Sequence, residues 1–368
     1  MAWFGVLAAL VGASAVIFAA YQRDIRAARG RIATGSKVVS TACGPIEYGE
    51  AGEGAPVLAI HGAGGGFDQG LEVFRGLSSR GFRVIAPSRF GYLRTPLRPD
   101  ASAAAQADAH ACLLDALGVR TAAVVGASAG GPSTMQLCLR HPERCSAMVL
   151  LVPLAYGPRQ TAEQKRPSPV VGRILDATPK SDFVFWAMEK FGREKMIQTI
   201  LATPIEDFNQ ATPRDQESVL QMLQHVLPIS PRAQGLRNDS AVAARLPRYE
   251  LEQLRVPTLT VSAENDRYGT FAGARYTAEH IPGAHFLGYK RGGHLLVGHQ
   301  QEISAELETF LRAHSAQPDE RREPGHRRAR QPEIPCATTA PAWLYATLWA
   351  GERPDAPWKV QPSYTGAR

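Results

Sequence analysis

TAAVVGASAGGPST, residues 121–134, passes from an apolar run with strand character into a helix-forming segment, and the joint is Gly126-Ala127-Ser128-Ala129-Gly130. A strand that turns sharply into a helix holds the residue at its corner in a strained conformation with its side chain exposed. Such a corner tolerates only small neighbours. Here every neighbour of Ser128 is Gly or Ala, which makes Ser128 the candidate nucleophile. The G-x-S-x-G pattern is weak alone, since an ordinary glycine-rich strand-to-helix turn can contain it. Its place between Val124-Val125 and the helical stretch GPSTMQLCLRH (131–141) gives it weight.

A serine hydroxyl needs a general base, and the oxyanion it generates needs hydrogen-bond donors. The donors have a source in His61-Gly62-Ala63-Gly64-Gly65-Gly66, which follows the apolar VLAI (57–60). In a serine corner of this kind the residue after the nucleophile, Ala129, offers one N–H and the glycine loop a second, from Ala63 or Gly64. The glycines lack the G-x-G-x-x-G or G-K-[ST] patterns of phosphate loops. His61 is expected to be structural. The base is expected last in the chain, after an acid, and His294 in KRGGH (290–294) fits, its glycines letting the imidazole reach the serine. His299 reads as a surface group. Asp266, leaving the strand that begins at Pro257, is the expected acid, with Glu264 as the alternative.

Outward from these motifs the chain alternates apolar runs and helical stretches. VLAIHG (57–62), FRVIAP (82–87), TAAVVGAS (121–128), SAMVLLVPLA (146–155), PTLTVSA (257–263) and AHFLGY (284–289) read as buried strands. Buried strands joined by helices indicate an α/β fold with a mostly parallel sheet covered on both faces. Residues 155–250 break this rhythm and read as an inserted helical cap, so the core falls into 23–154 and 251–314. Residues 315–368, rich in Pro, Arg and Ala, read as a disordered or weakly docked tail. Within the cap, Phe183-Val184-Phe185-Trp186-Ala187-Met188 is the most apolar piece. Phe185 and Trp186, with Phe67 and Tyr92 from the core, are expected to line a substrate pocket; the alternative is that the cap residues anchor the cap.

The formal net charge is +7, but the basic residues concentrate at the ends and the folded part is nearly neutral, which excludes a basic face for nucleic acid. Residues 1–22 carry no charged side chain, enough helix to cross a bilayer at about 1.5 Å per residue. Trp3 and Tyr21 suit the two interfaces. No Lys or Arg precedes this run, which argues for an uncleaved anchor over a signal peptide cleaved near Ala20 and a secreted product. Arg23, Arg26, Arg29 and Arg31 follow it, and the positive-inside rule then places the body in the cytoplasm. The five cysteines have no CxxC spacing, so neither a zinc site nor a disulfide framework is expected. Cys112 and Cys138 read as small buried hydrophobes.

Taken together, HGAGGGFD, GASAGG, SAENDRYGT and GGHLLVGH resemble the oxyanion, nucleophile, acid and histidine motifs of the α/β-hydrolase fold family, in the right order. The resemblance covers 57–154 and 251–314. It implies acyl transfer to water by Ser128, His294 and Asp266, with Ala129 and Ala63 as oxyanion donors, a small-molecule ester as substrate, and no metal or organic cofactor. Carbon–carbon bond hydrolysis or acyl transfer on the same residues is a second reading, and a non-catalytic binding protein a third. Ser88-Arg89-Phe90-Gly91-Tyr92 departs from the Asp-containing loop that relatives often carry there.

Overall fold

The computed structural model describes residues 2–157 and 181–315, which lie in one compact unit; the tail expected from 315 falls outside them apart from Ser315. Eight strands form one sheet: β1 (Ser36–Thr41), β2 (Gly44–Ala51), β3 (Ala55–Ile60), β4 (Phe82–Pro87), β5 (Ala122–Ala127), β6 (Cys145–Leu151), β7 (Thr258–Ala263) and β8 (His285–Tyr289). Their order is β1-β2-β4-β3-β5-β6-β7-β8. β1 and β2 run antiparallel, β2 pairs antiparallel with β4, and every pairing from β4 to β8 is parallel.

Period-two alternation divides the central strands between two cores. Leu58 and Ile60 of β3 and Val124 of β5 enter one cluster, while Val57, Ala59 and Val125 enter the other. The first is covered by α4 (Ala103–Ala116), α5 (Gly131–Arg140) and flanking residues of α11 (Thr270–His280). The second is covered by the short α2 (Phe67–Val73) and α3 (Arg75–Ser78), and by α12 (Gln300–His314). α12 shows the cause directly: Ile303, Leu307, Phe310 and Leu311 recur at helical spacing and are its buried residues.

All six strands expected from the apolar runs are present, but β8, at the sheet edge, is made of exposed and half-buried residues and not buried as expected. The β1–β2 hairpin is additional. SKVVST is half polar because β1 lies at the sheet edge, and GPIEYGEA, paired on both sides, buries Glu47 and Gly49 among its inner residues, so no continuous apolar run marks either strand. β6 ends at Leu151, short of the expected Ala155, because Val152 turns to φ 42° and Pro153 has no N–H to continue the ladder.

Between β6 and β7 the described residues form helices α6 (Asp182–Phe191), α7 (Arg193–Thr199), α8 (Ile205–Gln210), α9 (Pro213–His225) and α10 (Ala233–Ala244), within the span read as a cap. Helix α1 runs unbroken from Ala2 to Ala33. From Trp3 onward it is long and apolar enough to cross a membrane, and its apolar stretch is exposed. The division expected at residue 22 therefore falls inside one helix. Past that point Ile25 and Ala28 are buried in a cluster with Phe185, Trp186, Met196 and Val219 of the cap.

The cysteines overturn the expectation of no disulfides. Cys43, in the β1–β2 turn, is bonded to Cys112 of α4, and Cys138 of α5 to Cys145 at the start of β6. Cys112 and Cys138 are thus bonded, not free. The 69-residue separation of the first pair hides it from any local spacing rule, since only the docking of α4 against the β1–β2 edge makes these residues neighbours.

Candidate active site

Ser128 sits at the corner between β5 and a single 3-10 turn that leads into α5, with φ 50°, a conformation few non-glycine residues adopt. The flanking glycines are required by contact. A Cβ on Gly126 would overlap the Thr134 hydroxyl, and one on Gly130 would lie 2.8 Å from the carbonyl oxygens of Ile60 and His61. The helix is thereby pressed onto the end of β3.

The structure brings Ser128, His294 and Asp266 together. The Ser128 Oγ lies 2.9 Å from His294 Nε2, and His294 Nδ1 lies 2.8 Å from Asp266 Oδ2. Both His294 and Asp266 are buried. The other Asp266 oxygen accepts from the Tyr268 N–H at 2.8 Å, and the Thr270 hydroxyl donates a short bond to Oδ2. Burial opposes ionisation of Asp266. The charge and hydrogen bond of His294, with the bonds from Thr270 and Tyr268, outweigh it and hold the carboxyl below its ordinary range. An ionised Asp266 fixes the proton on Nδ1 and leaves Nε2 to accept the serine proton. The Tyr268 ring stands edge-on to the imidazole at 4.8 Å. Glu264 is exposed and does not join this relay. His299 lies against the Tyr289 ring at 4.0 Å and pairs with Glu302.

The glycine loop packs close to the serine: a Cβ on Gly62 would lie 3.1 Å from the Ser128 Cβ. Three of its N–H groups, and that of the following Phe67, have internal acceptors. Gly62 donates to Gln69, Gly64 to the Tyr92 hydroxyl, Gly65 to the Gly62 carbonyl and Phe67 to the Ser88 hydroxyl. Of the two loop donors expected, Gly64 is therefore engaged elsewhere and Ala63 is left. Ala129 lies in the first turn of the helical segment, where N–H groups have no helical acceptor.

A buried network holds this loop. Arg89 pairs with Asp239 of α10 through two bonds of 2.6 and 2.8 Å and donates to the carbonyls of His61 at 2.9 Å and Gly62 at 3.1 Å. The Tyr92 hydroxyl donates to Asp239 at 2.5 Å. Burial works against the Arg89 charge, yet the Asp239 carboxylate raises its pKa above the ordinary value. Burial and Asp239 likewise push the Tyr92 phenol well up. His61 accepts the Arg89 N–H at Nε2 and lies 2.7 Å from the Gly62 carbonyl at Nδ1. Burial first, then the Arg89 charge, hold its pKa well below the usual histidine value, so it is a neutral structural residue as expected.

The four residues expected to line a pocket have other roles. Tyr92 is fully buried beneath the glycine loop. Phe67 is buried at the start of α2 with its ring against Gly35 and Gly49, on the β1–β2 side. Phe185 and Trp186 belong to the cluster joining the cap to α1, with the Trp186 indole donating to Asp24 at 3.0 Å. The apolar stripe of α6 faces α1, which sequence periodicity does not specify.

Sequence reasoning missed Asp239 and Asp207, two acids in the cap. Asp207 of α8 accepts from Asn265, Arg291 and the Gly292 N–H at 2.5, 2.8 and 2.9 Å, while Asn265 accepts from the Gly293 N–H at 2.9 Å. One cap carboxylate thus ties the acid-bearing loop to the histidine-bearing loop. The Ala202 carbonyl adds bonds from the Arg267 and His294 N–H groups. Asn265, Arg291, Gly292 and Gly293 lay in the acid and histidine motifs that the sequence singled out, whereas no motif marked Asp207 or Asp239. Among the described residues, no cluster of His, Cys, Asp or Glu is placed to hold a metal ion.

A family model described as the alpha/beta hydrolase fold matches residues 55–298. An uncharacterized hydrolase of Bacillus subtilis is 24% identical over 259 residues, 69% of this chain and 89% of that protein. A 2-hydroxymuconate semialdehyde hydrolase of Pseudomonas putida is 40% identical over 105 residues, but these are 27% of this chain and 37% of the relative. Among solved structures, an alpha/beta hydrolase fold protein from Nakamurella multipartita superposes with a TM-score of 0.65 at 28% identity, covering 76% of this chain and 99% of that one.

Proposed function

Since the chain belongs to the alpha/beta hydrolase fold family, we propose that it is a serine hydrolase that cleaves carboxylic esters of hydrophobic acyl groups, with Ser128, His294 and Asp266 as its catalytic residues. The observation that carries this reading is the continuous relay from Ser128 Oγ through His294 to Asp266, at 2.9 and 2.8 Å. His294 Nε2 takes the hydroxyl proton as Oγ attacks the ester carbonyl, and the N–H groups of Ala129 and Ala63 receive the oxyanion. The imidazolium then gives its proton to the leaving alcohol, which leaves an acyl-serine. Water, deprotonated by His294, releases the acid and restores the hydroxyl. Asp266, ionised by its neighbours, stabilises the imidazolium at both stages.

The test is labelling of Ser128 by a fluorophosphonate, followed by kcat/KM for p-nitrophenyl esters of two to sixteen carbons. Each methylene that enters an apolar site should raise kcat/KM about three- to fourfold, or ~0.8 kcal/mol. Support for an apolar acyl site now rests on Val226 of the cap, whose side chain faces Gly64 of the oxyanion loop, and on the apolar α1. A profile flat from acetate onward would refute it. Carbon–carbon hydrolysis is a second reading, favoured by the 40% identity with the semialdehyde hydrolase. Product analysis with a vinylogous diketone separates the two.

Helix α1 is read as a membrane anchor. The paired cysteines favour placing the body on the oxidising side of that membrane, opposite to the orientation expected from the arginines. Two of those arginines have partners in the fold: Arg29 pairs with Asp182, and Arg31 donates to the Leu227 carbonyl and faces Asp68. Their presence after the span thus has a structural cause besides topology.

A further inference from the structure

Helix α6 is apolar on two faces, and its outer face stays partly exposed although the Phe183 and Phe191 rings also touch Trp186, at 5.8 and 6.4 Å. At about 100° per residue, Asp182, Phe185, Trp186 and Glu189 share one arc of the helix and are buried. On the opposite arc lie Phe183, Val184, Ala187 and Phe191. Of these, Phe183 is 43%, Val184 40% and Phe191 74% exposed. Large apolar side chains gathered on one exposed helix face mark a surface that meets another apolar phase.

What meets it is indicated by α1. The Tyr21 ring lies 5.1 Å from that of Phe183 and 5.6 Å from that of Trp186, and Asp24 binds the Trp186 indole and the Lys190 ammonium. Phe183 near the start of α6 and Lys190 near its end thus meet α1 at Tyr21 and Asp24, and Asp182 meets it at Arg29, so α6 is held against the part of α1 that follows the apolar stretch. That part begins where the uncharged stretch ends. About twenty residues at 1.5 Å each fill roughly 30 Å of hydrocarbon, which puts Tyr21 at the bilayer boundary. Exposed Arg23 and Arg26 then stand at the level of the lipid headgroups.

We propose that α6 lies in the membrane interface, with Phe183, Val184 and Phe191 inserted at the boundary between headgroups and acyl chains, so that the cap is seated on the bilayer surface. An amphipathic helix in this position buries its apolar face about 5–10 Å deep, which the aromatic side chains of Phe183 and Phe191 reach from the level of Tyr21. The rigid joint between α1 and the cap fixes the orientation. Substrates partitioned into the bilayer would then reach a hydrolase whose cap already contacts their solvent. The proposal rests on the reading of α1 as a membrane span.

The experiment uses the full chain in nanodiscs of phosphatidylcholine with some phosphatidylglycerol, carrying Cys336→Ser so that no free thiol competes. Single nitroxide labels are placed at Leu10→Cys, Phe191→Cys and, on α11, Glu279→Cys. Collisions with oxygen should exceed those with a water-soluble nickel complex at positions 10 and 191, and the ratio should invert at 279. A label at 191 that favours the nickel complex while that at 10 favours oxygen would overturn the proposal and leave the span intact. A label at 191 shielded from both reagents would mean that protein, from this chain or a second copy, covers the face, and would overturn it equally. Water-like accessibility at 10 would overturn the span itself and the proposal with it.

Discussion

Replacing Asp239 with Asn keeps the size of the side chain and removes one charge from the centre of the network beneath the glycine loop. Arg89 and Asp239 are 6% and 9% exposed in their side chains and meet through two bonds. The substitution therefore leaves a guanidinium buried without its counter-charge. Breaking a buried pair from one side costs about 3–5 kcal/mol. At roughly 2–4 °C per kcal/mol for a domain of about this size, the midpoint of thermal unfolding should fall on the order of 6–20 °C. Activity should fall too, by a separate route. Arg89 holds the His61 and Gly62 carbonyls, and Tyr92, bonded to Asp239, accepts the Gly64 N–H. Loosening them misplaces the N–H of Ala63, the proposed oxyanion donor, and loss of such a donor lowers kcat by about 10²–10³, so Asp239→Asn should lower kcat well beyond any change in KM. The assay is thermal unfolding of the lipid-reconstituted protein alongside p-nitrophenyl ester kinetics below the unfolding range. The double substitution Arg89→Met with Asp239→Leu should recover much of the stability but not the activity, because the bonds from Arg89 to the loop are gone. A loss under 1 kcal/mol for Asp239→Asn, or strictly additive effects in the double variant, would refute the reasoning.

Ser128→Ala should abolish fluorophosphonate labelling and lower kcat roughly 10⁴- to 10⁶-fold with the fold intact by circular dichroism; normal labelling would move the nucleophile elsewhere. Asp266→Asn should cost far more kcat than Glu264→Gln, and the reverse order would contradict the relay. Thiol titration of the unreduced, denatured chain should find one reactive cysteine, Cys336, against five after reduction; five before reduction would exclude both bonds and the oxidising-side placement with them. Stability should decline below about pH 6.5, because burial lowers the His110 pKa to about 3, and the unfolded chain then binds a proton that the folded one refuses. The loss reaches about 3 kcal/mol by pH 4.5, and His110→Leu should flatten that slope in chemical denaturation; an unchanged slope would contradict it.

The amino-acid sequence by itself determined the parallel sheet, the serine corner and the order of the three candidate residues, because each is written in local terms. Apolar runs of strand length, glycines that only a tight turn requires and a histidine freed by Gly292 and Gly293 all act within a few residues of chain. The β1–β2 hairpin was illegible for the converse reason: the edge strand SKVVST needs no apolar run, and GPIEYGEA buries a glutamate and a glycine where such a run would be. The tertiary structure alone decided everything that depends on which distant segments meet. It joined Cys43 to Cys112 and Cys138 to Cys145, engaged the Gly64 N–H with the Tyr92 hydroxyl, and drew Asp207 and Asp239 from the cap to the loops that bear the candidate site. It also turned Phe185 and Trp186 toward α1, making the inner half of the apolar helix part of the cap's core. A hydrophobic stripe specifies that a helix face is buried, and its periodicity is the same whichever surface covers it.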